Sequence, residues 1–255
     1  MSNGTINVTN KNGLSEISFF HPQSNSLPGE LLRRLAAEIE KAGKDESIKV
    51  IVLKSEGEKA FCAGASFDEL ASIRTMEEGQ TFFSGFAAVI NAMRKAPKFV
   101  IARVQGKAVG GGVGIACTAD TTFAVESASV KLSELAVGIG PFVVGPAVER
   151  KIGTSAFAEL TINATEWRTA SWAKEKGMYA EVFSSSTEMD AAINALTEKL
   201  LNSNPEAMML LKKVFWEGTE NWDTLLLERA AMSGKLVLSD FTRNSIARFK
   251  EQVKK

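Results

Sequence analysis

Histidine is almost missing from this chain: among 255 residues there is one, His21. Sites that need two histidine ligands are therefore excluded, HExxH and three-histidine zinc centres among them. Cysteine is nearly as scarce. Cys62 and Cys117 are the only two, each within an apolar run, and they read as core thiols. No disulfide scaffold can be built from them. Net charge is lacking too, because 30 basic and 30 acidic side chains cancel. The chain thus carries no overall footprint for nucleic acid or an anionic membrane, although a local basic pocket stays open. The uncharged stretch Leu135 to Val148 holds three glycines and two prolines and is too short to span a bilayer. The polar segment Met1 to Asn12 has no signal-peptide core, so the sequons at Asn3, Asn7 and Asn163 are expected to be silent. These exclusions predict a cytoplasmic protein with no membrane or nucleic-acid partner and no metal.

What is present has a clear texture. Up to roughly residue 182, apolar β-rich runs alternate with glycine-rich turns and helices; beyond it, only helical patterns remain. Leu31, Leu32, Leu35, Ala36 and Ile39 share one helical face, with Pro28 before them and Gly43 after. The run from Lys49 to Lys54 reads as a strand buried on both faces, because polar and apolar residues do not alternate there. Phe99 to Val104 is a second such strand, and Thr121 to Val125 and Val130 to Leu132 are further ones. Between the first two lies a helical stretch, Thr75 to Lys95, with Phe82, Phe83, Phe86, Val89, Ile90 and Met93 on its apolar side. Strand, helix, strand at this spacing predicts right-handed crossovers and parallel pairing. Three more helices are expected after Thr187, from Pro205 and from Trp222, with a last amphipathic piece after Asp240. Their Met and aromatic stripe reads as core or subunit contact.

Several familiar motifs fail. The Gly-Lys pairs at Gly43, Gly106 and Gly234 are not followed by Ser or Thr, so there is no P-loop. The run Gly110 to Gly114 breaks the GxGxxG spacing, because Cys117 stands where the last glycine belongs. Gly64 to Asp68 lacks the closing glycine of a nucleophile elbow. Ser171-x-x-Lys174 has no companion motifs.

Two glycine-bearing turns survive, Phe61 to Leu70 and Val104 to Gly114, each leading from a strand into a helix. Backbone N–H groups at such helix starts lack partners, and the helix dipole is positive there. Side by side, the turns could aim two donors at one oxygen, an oxyanion hole built from main chain. Taken singly, each turn is better explained as a tight turn that needs positive φ.

Together the turns resemble the signature of the crotonase superfamily, the enoyl-CoA hydratase/isomerase family. Ala60 to Ser66 is similar to its A-F-x-A-G-A-D motif, and Val104 to Gly112 to its V-x-G-x-A-x-G-G-G. Asn25-Ser26-Leu27 resembles its N-terminal Asn-Ala-Leu. Ser133-Glu134-Leu135 with Gly138 and Pro141 resembles P-E-x-x-x-G-x-x-P, and Ala173, Gly177 and Val182 resemble A-x-x-x-G-L-V. The resemblance runs in order over essentially the whole chain. It implies an α/β fold, a crotonase-like spiral of ββα units over residues 1–185, with a C-terminal helical trimerisation region over 186–255. It also implies a coenzyme A thioester as substrate, no permanently bound cofactor, and a homotrimer or dimer of trimers. By position, Ala65 and Gly111 would supply the oxyanion amides and Glu134 the acid–base group. Phe61, Ala63, Asn25, Leu27, Gly112, Phe142, Phe249 and Lys250 would hold the substrate or its nucleotide.

Hydratases of this family divide their work between two glutamates. Glu134 matches one of them; at the position of the other this chain has Gly114. Phe142-Val143-Val144 follow Pro141 where the family has glycine-rich residues, which narrows the space for a water. One carboxylate suffices to shuttle a proton between two carbons. The sequence therefore favours double-bond isomerisation. A hydratase with an unidentified second group and an acyl-CoA-binding homologue with little catalysis are the alternatives.

Overall fold

The structure is a computed structural model that describes residues 4–253, with side chains as far as Arg248. Its first element is a hairpin of β1 (Thr5–Lys11) and β2 (Leu14–Phe20), turned by Asn12 and Gly13 at φ of 51° and 88°. Both values belong to the tight turns that match strand twist. β1 is an exposed, polar edge strand, so the apolar alternation that would mark it from sequence is weak. Helix α1 (Gly29–Lys44) buries Leu31, Leu32, Leu35, Ala36 and Ile39, the stripe expected from their spacing.

Three passes of strand, short strand and helix then follow. The first is β3 (Val50–Ser55), β4 (Ala60–Cys62), then α2 (Phe67–Ser72) and α3 (Met76–Lys95). The second is β5 (Phe99–Val104), β6 (Lys107–Val109) and α4 (Gly111–Thr118). The third is β7 (Thr121–Val125), β8 (Ser129–Lys131), a 3₁₀ turn over Leu135–Val137 and α5 (Gly145–Ile162), which is kinked at Gly153. A partial pass of β9 (Arg168–Thr169), α6 (Ala170–Glu175) and β10 (Glu181–Phe183) closes the core.

The long strands form one sheet in the order β1-β2-β3-β5-β7-β10 and the short ones a second, β4-β6-β8-β9. From β2 onward the first sheet is parallel, with Val50 opposite Phe99 and Ile101 opposite Thr121. Val50, Ile51, Val52 and Leu53 are all buried, as a parallel strand covered on both faces requires. The chain steps from the large sheet to the small one in every pass, which is the expected spiral of ββα units.

Helices α7 (Ser186–Leu201), α8 (Pro205–Phe215), α9 (Trp222–Leu236) and α10 (Asp240–Val253) complete the chain. A buried ion pair ties α8 to the sheet: Lys212 Nζ donates to Asp120 Oδ2 at 2.6 Å. The same carboxylate accepts from Val100 N and Trp216 Nε1. Helix α9 crosses α3 at two glycines, where a β-carbon on Gly79 would fall 2.7 Å from Gly234 Cα. Their backbones touch. No helix among the described residues is long and apolar enough to cross a membrane.

Candidate active site

The two glycine turns meet. Gly64, at φ 84°, lies so close to the second turn that a β-carbon there would sit 2.8 Å from Val109 O and 3.4 Å from Gly111 N. The first turn is held from behind by Leu27, whose N–H donates to Gly64 O and whose carbonyl accepts from Ser66 N. Ala65 is the residue between those two bonds, so its own N–H points to the other face of the chain, away from Leu27. Gly111 is the first residue of α4, where the N–H has no intrahelical partner. Ala65, Gly110, Gly111 and Glu134 all line one cavity of about 60 Å³.

Glu134 enters the cavity midway through the third pass, between β8 and the 3₁₀ turn. Val137 N and Ile139 N both donate to its carbonyl and fix the backbone. Its carboxylate rests on Gly110, where a β-carbon would come within 2.8 Å of Oε1. The residue keeps some exposure, but Oε2 is sealed from solvent and has no hydrogen-bond partner. Loss of water pushes its carboxyl up to about 7, opposed only by a hydrogen bond from its own backbone. A carboxyl in that range is a competent base near neutral pH.

The remaining wall is apolar. Phe67, Leu70, Phe83 and Phe86 come from α2 and α3, the region between the two motifs, and Pro141, Phe142 and Val144 from the segment before α5. The ring of Phe86 packs on the second glycine turn, for a β-carbon on Gly111 would meet it at 2.1 Å. Ser233 of α9 is a polar member of the wall that no motif marks.

The structure thus brings Ala65, Gly111, Glu134, Ala63 and Phe142 together. Four other expected contacts are placed elsewhere. Phe61 is fully buried and packs edge-on against Phe19, with ring centroids 5.6 Å apart. Leu27 is fully buried as well. Asn25 spends its side chain on the turn: its amide donates to Glu56 O and Ala60 O, and its Oδ1 accepts from His21 N. Gly112 faces Cys62 O, which a β-carbon would reach at 2.5 Å. These residues build the loop from the core side because large side chains and satisfied amides stabilise it there. His21, buried with Gln23 and Ser26 at its Nδ1, is part of that same support. Phe249 and Lys250 fall in the last helix, and their side chains lie outside the described residues.

Comparison with known sequences and structures agrees with this geometry. The sequence model of the Enoyl-CoA hydratase/isomerase family matches residues 9–255. A rat protein, methylglutaconyl-CoA hydratase, mitochondrial, is 32% identical over 200 residues, which is 77% of this chain and 63% of the rat protein. The chain therefore spans less than two thirds of that relative. A short-chain-enoyl-CoA hydratase of Clostridium acetobutylicum is 27% identical over 90% of this chain and 88% of its own. The crystal structure of an enoyl-CoA hydratase from Bacillus halodurans superposes with a TM-score of 0.88 at 20% identity, covering 95% of this chain and 99% of that one. The latter likeness establishes the fold.

Proposed function

Because the chain belongs to the enoyl-CoA hydratase/isomerase family, we propose that it binds a short acyl-CoA, stabilises the thioester enolate and moves a double bond with one carboxylate. The amides of Ala65 and Gly111 would hold the thioester oxygen, where two oriented donors are worth most as negative charge develops. Glu134 would take a proton from the carbon next to the carbonyl of a 3-enoyl-CoA. The electron pair left behind conjugates through the double bond, and the same carboxyl returns the proton to C4. The product is the 2-enoyl thioester, with one C–H bond broken and one formed.

The observation that carries the reading is that Glu134 is the one titratable side chain lining the cavity among the described residues. The second glutamate position of the hydratases is Gly114, and Val144 fills the space above it. A hydratase reading is favoured by the names of the rat and Clostridium relatives. Separate incubation with 2-enoyl-CoA and 3-enoyl-CoA decides between them. Conversion of the 3-enoyl compound alone supports isomerisation, and a 3-hydroxyacyl product from the 2-enoyl compound defeats it. If α-proton exchange of a saturated acyl-CoA in D₂O does not depend on Glu134, the site only binds.

Assembly is part of the same proposal. Helix α8 leaves Leu210, Leu211 and Val214 about half exposed, an apolar stripe suited to a trimer contact.

A further inference from the structure

A second cavity, of about 180 Å³, lies at the opposite end of α4 from Gly111. It is enclosed by the end of that helix, by Ala147, Arg150 and Lys151 of α5, and by Phe215 and Trp216 where α8 ends. Its wall shares no residue with the cavity that holds Glu134. The charges around it do not balance. Asp120 is the one carboxylate in the wall, and its oxygens already accept from Lys212 Nζ, Trp216 Nε1 and Val100 N. Lys151, largely buried, spends its ammonium on two main-chain carbonyls, Ala119 O at 2.9 Å and Asp120 O at 3.1 Å. Arg150 donates to Phe215 O at 2.6 Å and lies over the Trp216 ring, 5.7 Å from its centroid. The exposed Glu220 accepts from Gly218 N instead of pairing with Arg150. Neither Arg150 nor Lys151 forms an ion pair among the described residues.

A largely buried ammonium without a counter-ion is costly. Burial holds Lys151 below the ordinary lysine range, and its charge also works against that of Lys212. We propose that this cavity is a binding site for a small carboxylate with a short apolar tail, its oxygens on Lys151 and Arg150 and its tail against Ala147, Phe215 and Trp216. The bond to Phe215 O leaves Arg150 further N–H donors, and a guanidinium meets a carboxylate as a planar fork. The apolar walls are firm: the Phe215 ring stacks on Phe99 at 5.8 Å, and the Trp216 N–H is committed to Asp120. A phosphate dianion is disfavoured, because those walls would take water from its remaining oxygens and give no partner in return. The inference goes beyond the acyl-CoA reading and stands apart from it, since the two sites have no wall in common.

Butanoate, butanamide and inorganic phosphate test it on the full-length protein in chloride-free buffer, with dissociation constants from calorimetry. Butanoate should bind at least about tenfold more tightly than its neutral amide, which is what one charge-assisted hydrogen bond is worth. It should also bind more tightly than phosphate. Arg150 is exposed, so Arg150→Gln should fold normally and weaken butanoate about tenfold. Arg150→Lys, which keeps the charge and loses the fork, should weaken it less. Lys151→Gln should also weaken it, but that variant gives up the tie to the end of α4; should it fail to fold, the two Arg150 variants decide. Absence of butanoate binding by the wild type overturns the inference, as does wild-type affinity in Arg150→Gln, which would put the ligand elsewhere. Equal binding of butanamide, or tighter binding of phosphate, overturns the carboxylate assignment.

Discussion

A β-carbon on Gly114 would lie 2.4 Å from Cγ1 of Val144, so the valine occupies the space that a side chain at position 114 would need. The sequence departure at one position is thus matched by bulk at another, thirty residues on. Restoring a glutamate alone should overpack the core.

Gly114→Glu is expected to lower the melting temperature sharply, since overpacking costs about 1–3 kcal/mol and the buried carboxyl adds to it. Combining it with Val144→Gly removes the collision. The double variant should recover most of the lost stability and gain measurable hydration of 2-enoyl-CoA. A double variant no more stable than the single one would show that Val144 is not the obstruction.

Glu134 must be ionised to act as a base, and burial raises its carboxyl to about 7. The exchange rate should fall about tenfold per pH unit below 7 and level off above it. Stability runs the other way. The folded protein holds this proton more tightly than the unfolded chain, where the group titrates near 4.5, so its burial is harmless below that pH. The cost grows as pH rises from 4.5 and is fully developed above about 7. Glu134→Gln should therefore abolish exchange while gaining about 2 kcal/mol of stability at pH 8, a figure discounted for the partial exposure of the residue. Urea unfolding at pH 4 and pH 8 measures the difference, which should be near zero at the lower pH.

Gly110 has φ 52° and ψ −116°, a conformation that costs a residue with a side chain roughly 1–3 kcal/mol. Its missing β-carbon is also what admits the Glu134 carboxylate. Gly110→Ala should depress exchange by two orders of magnitude or more, on the order of what loss of a positioned catalytic group costs. Binding of a saturated acyl-CoA should weaken much less. A parallel loss in both would place Glu134 in binding instead of proton transfer.

Lys212 and Asp120 are among the most deeply buried charges in the protein, with side chains 3% and 6% exposed. Removing one partner strands the other, which typically costs about 3–5 kcal/mol. Lys212→Met is expected to destabilise by that amount in urea titration, with far less added when Asp120→Asn is made on top of it. Full additivity of the two would mean that the pair does not act as a unit.

The large sheet was legible because β3 and β5 are continuous apolar runs, and α1 and α3 because their stripes have helical spacing. Of the small sheet only β8 was, as the run Val130 to Leu132. The strands of that sheet have two or three residues each, too few for any period to show. The hairpin at the start carried one good signal, Asn12-Gly13, but its outer strand is polar because it faces solvent. As for the site, spacing marked two turns but gave no reason for residues 65, 111 and 134 to meet; only the family resemblance joined them. Asn25, Leu27, Phe61 and Gly112 lie beside the motif residues in sequence and behind them in space. Ser233 sits on a helix of mixed character, where a serine carries no local signal and its neighbourhood is set by two distant glycines in contact.

Since each pass delivers one wall, the pocket cannot exist in part. A nascent chain that has emerged only through α4 holds both turns but no acid, and one that ends before α9 lacks its floor at Ser233. The residues through α9 must therefore be in place before the proposed thioester can select the native state, so rescue of destabilised variants by such a ligand would act only once α9 has been made.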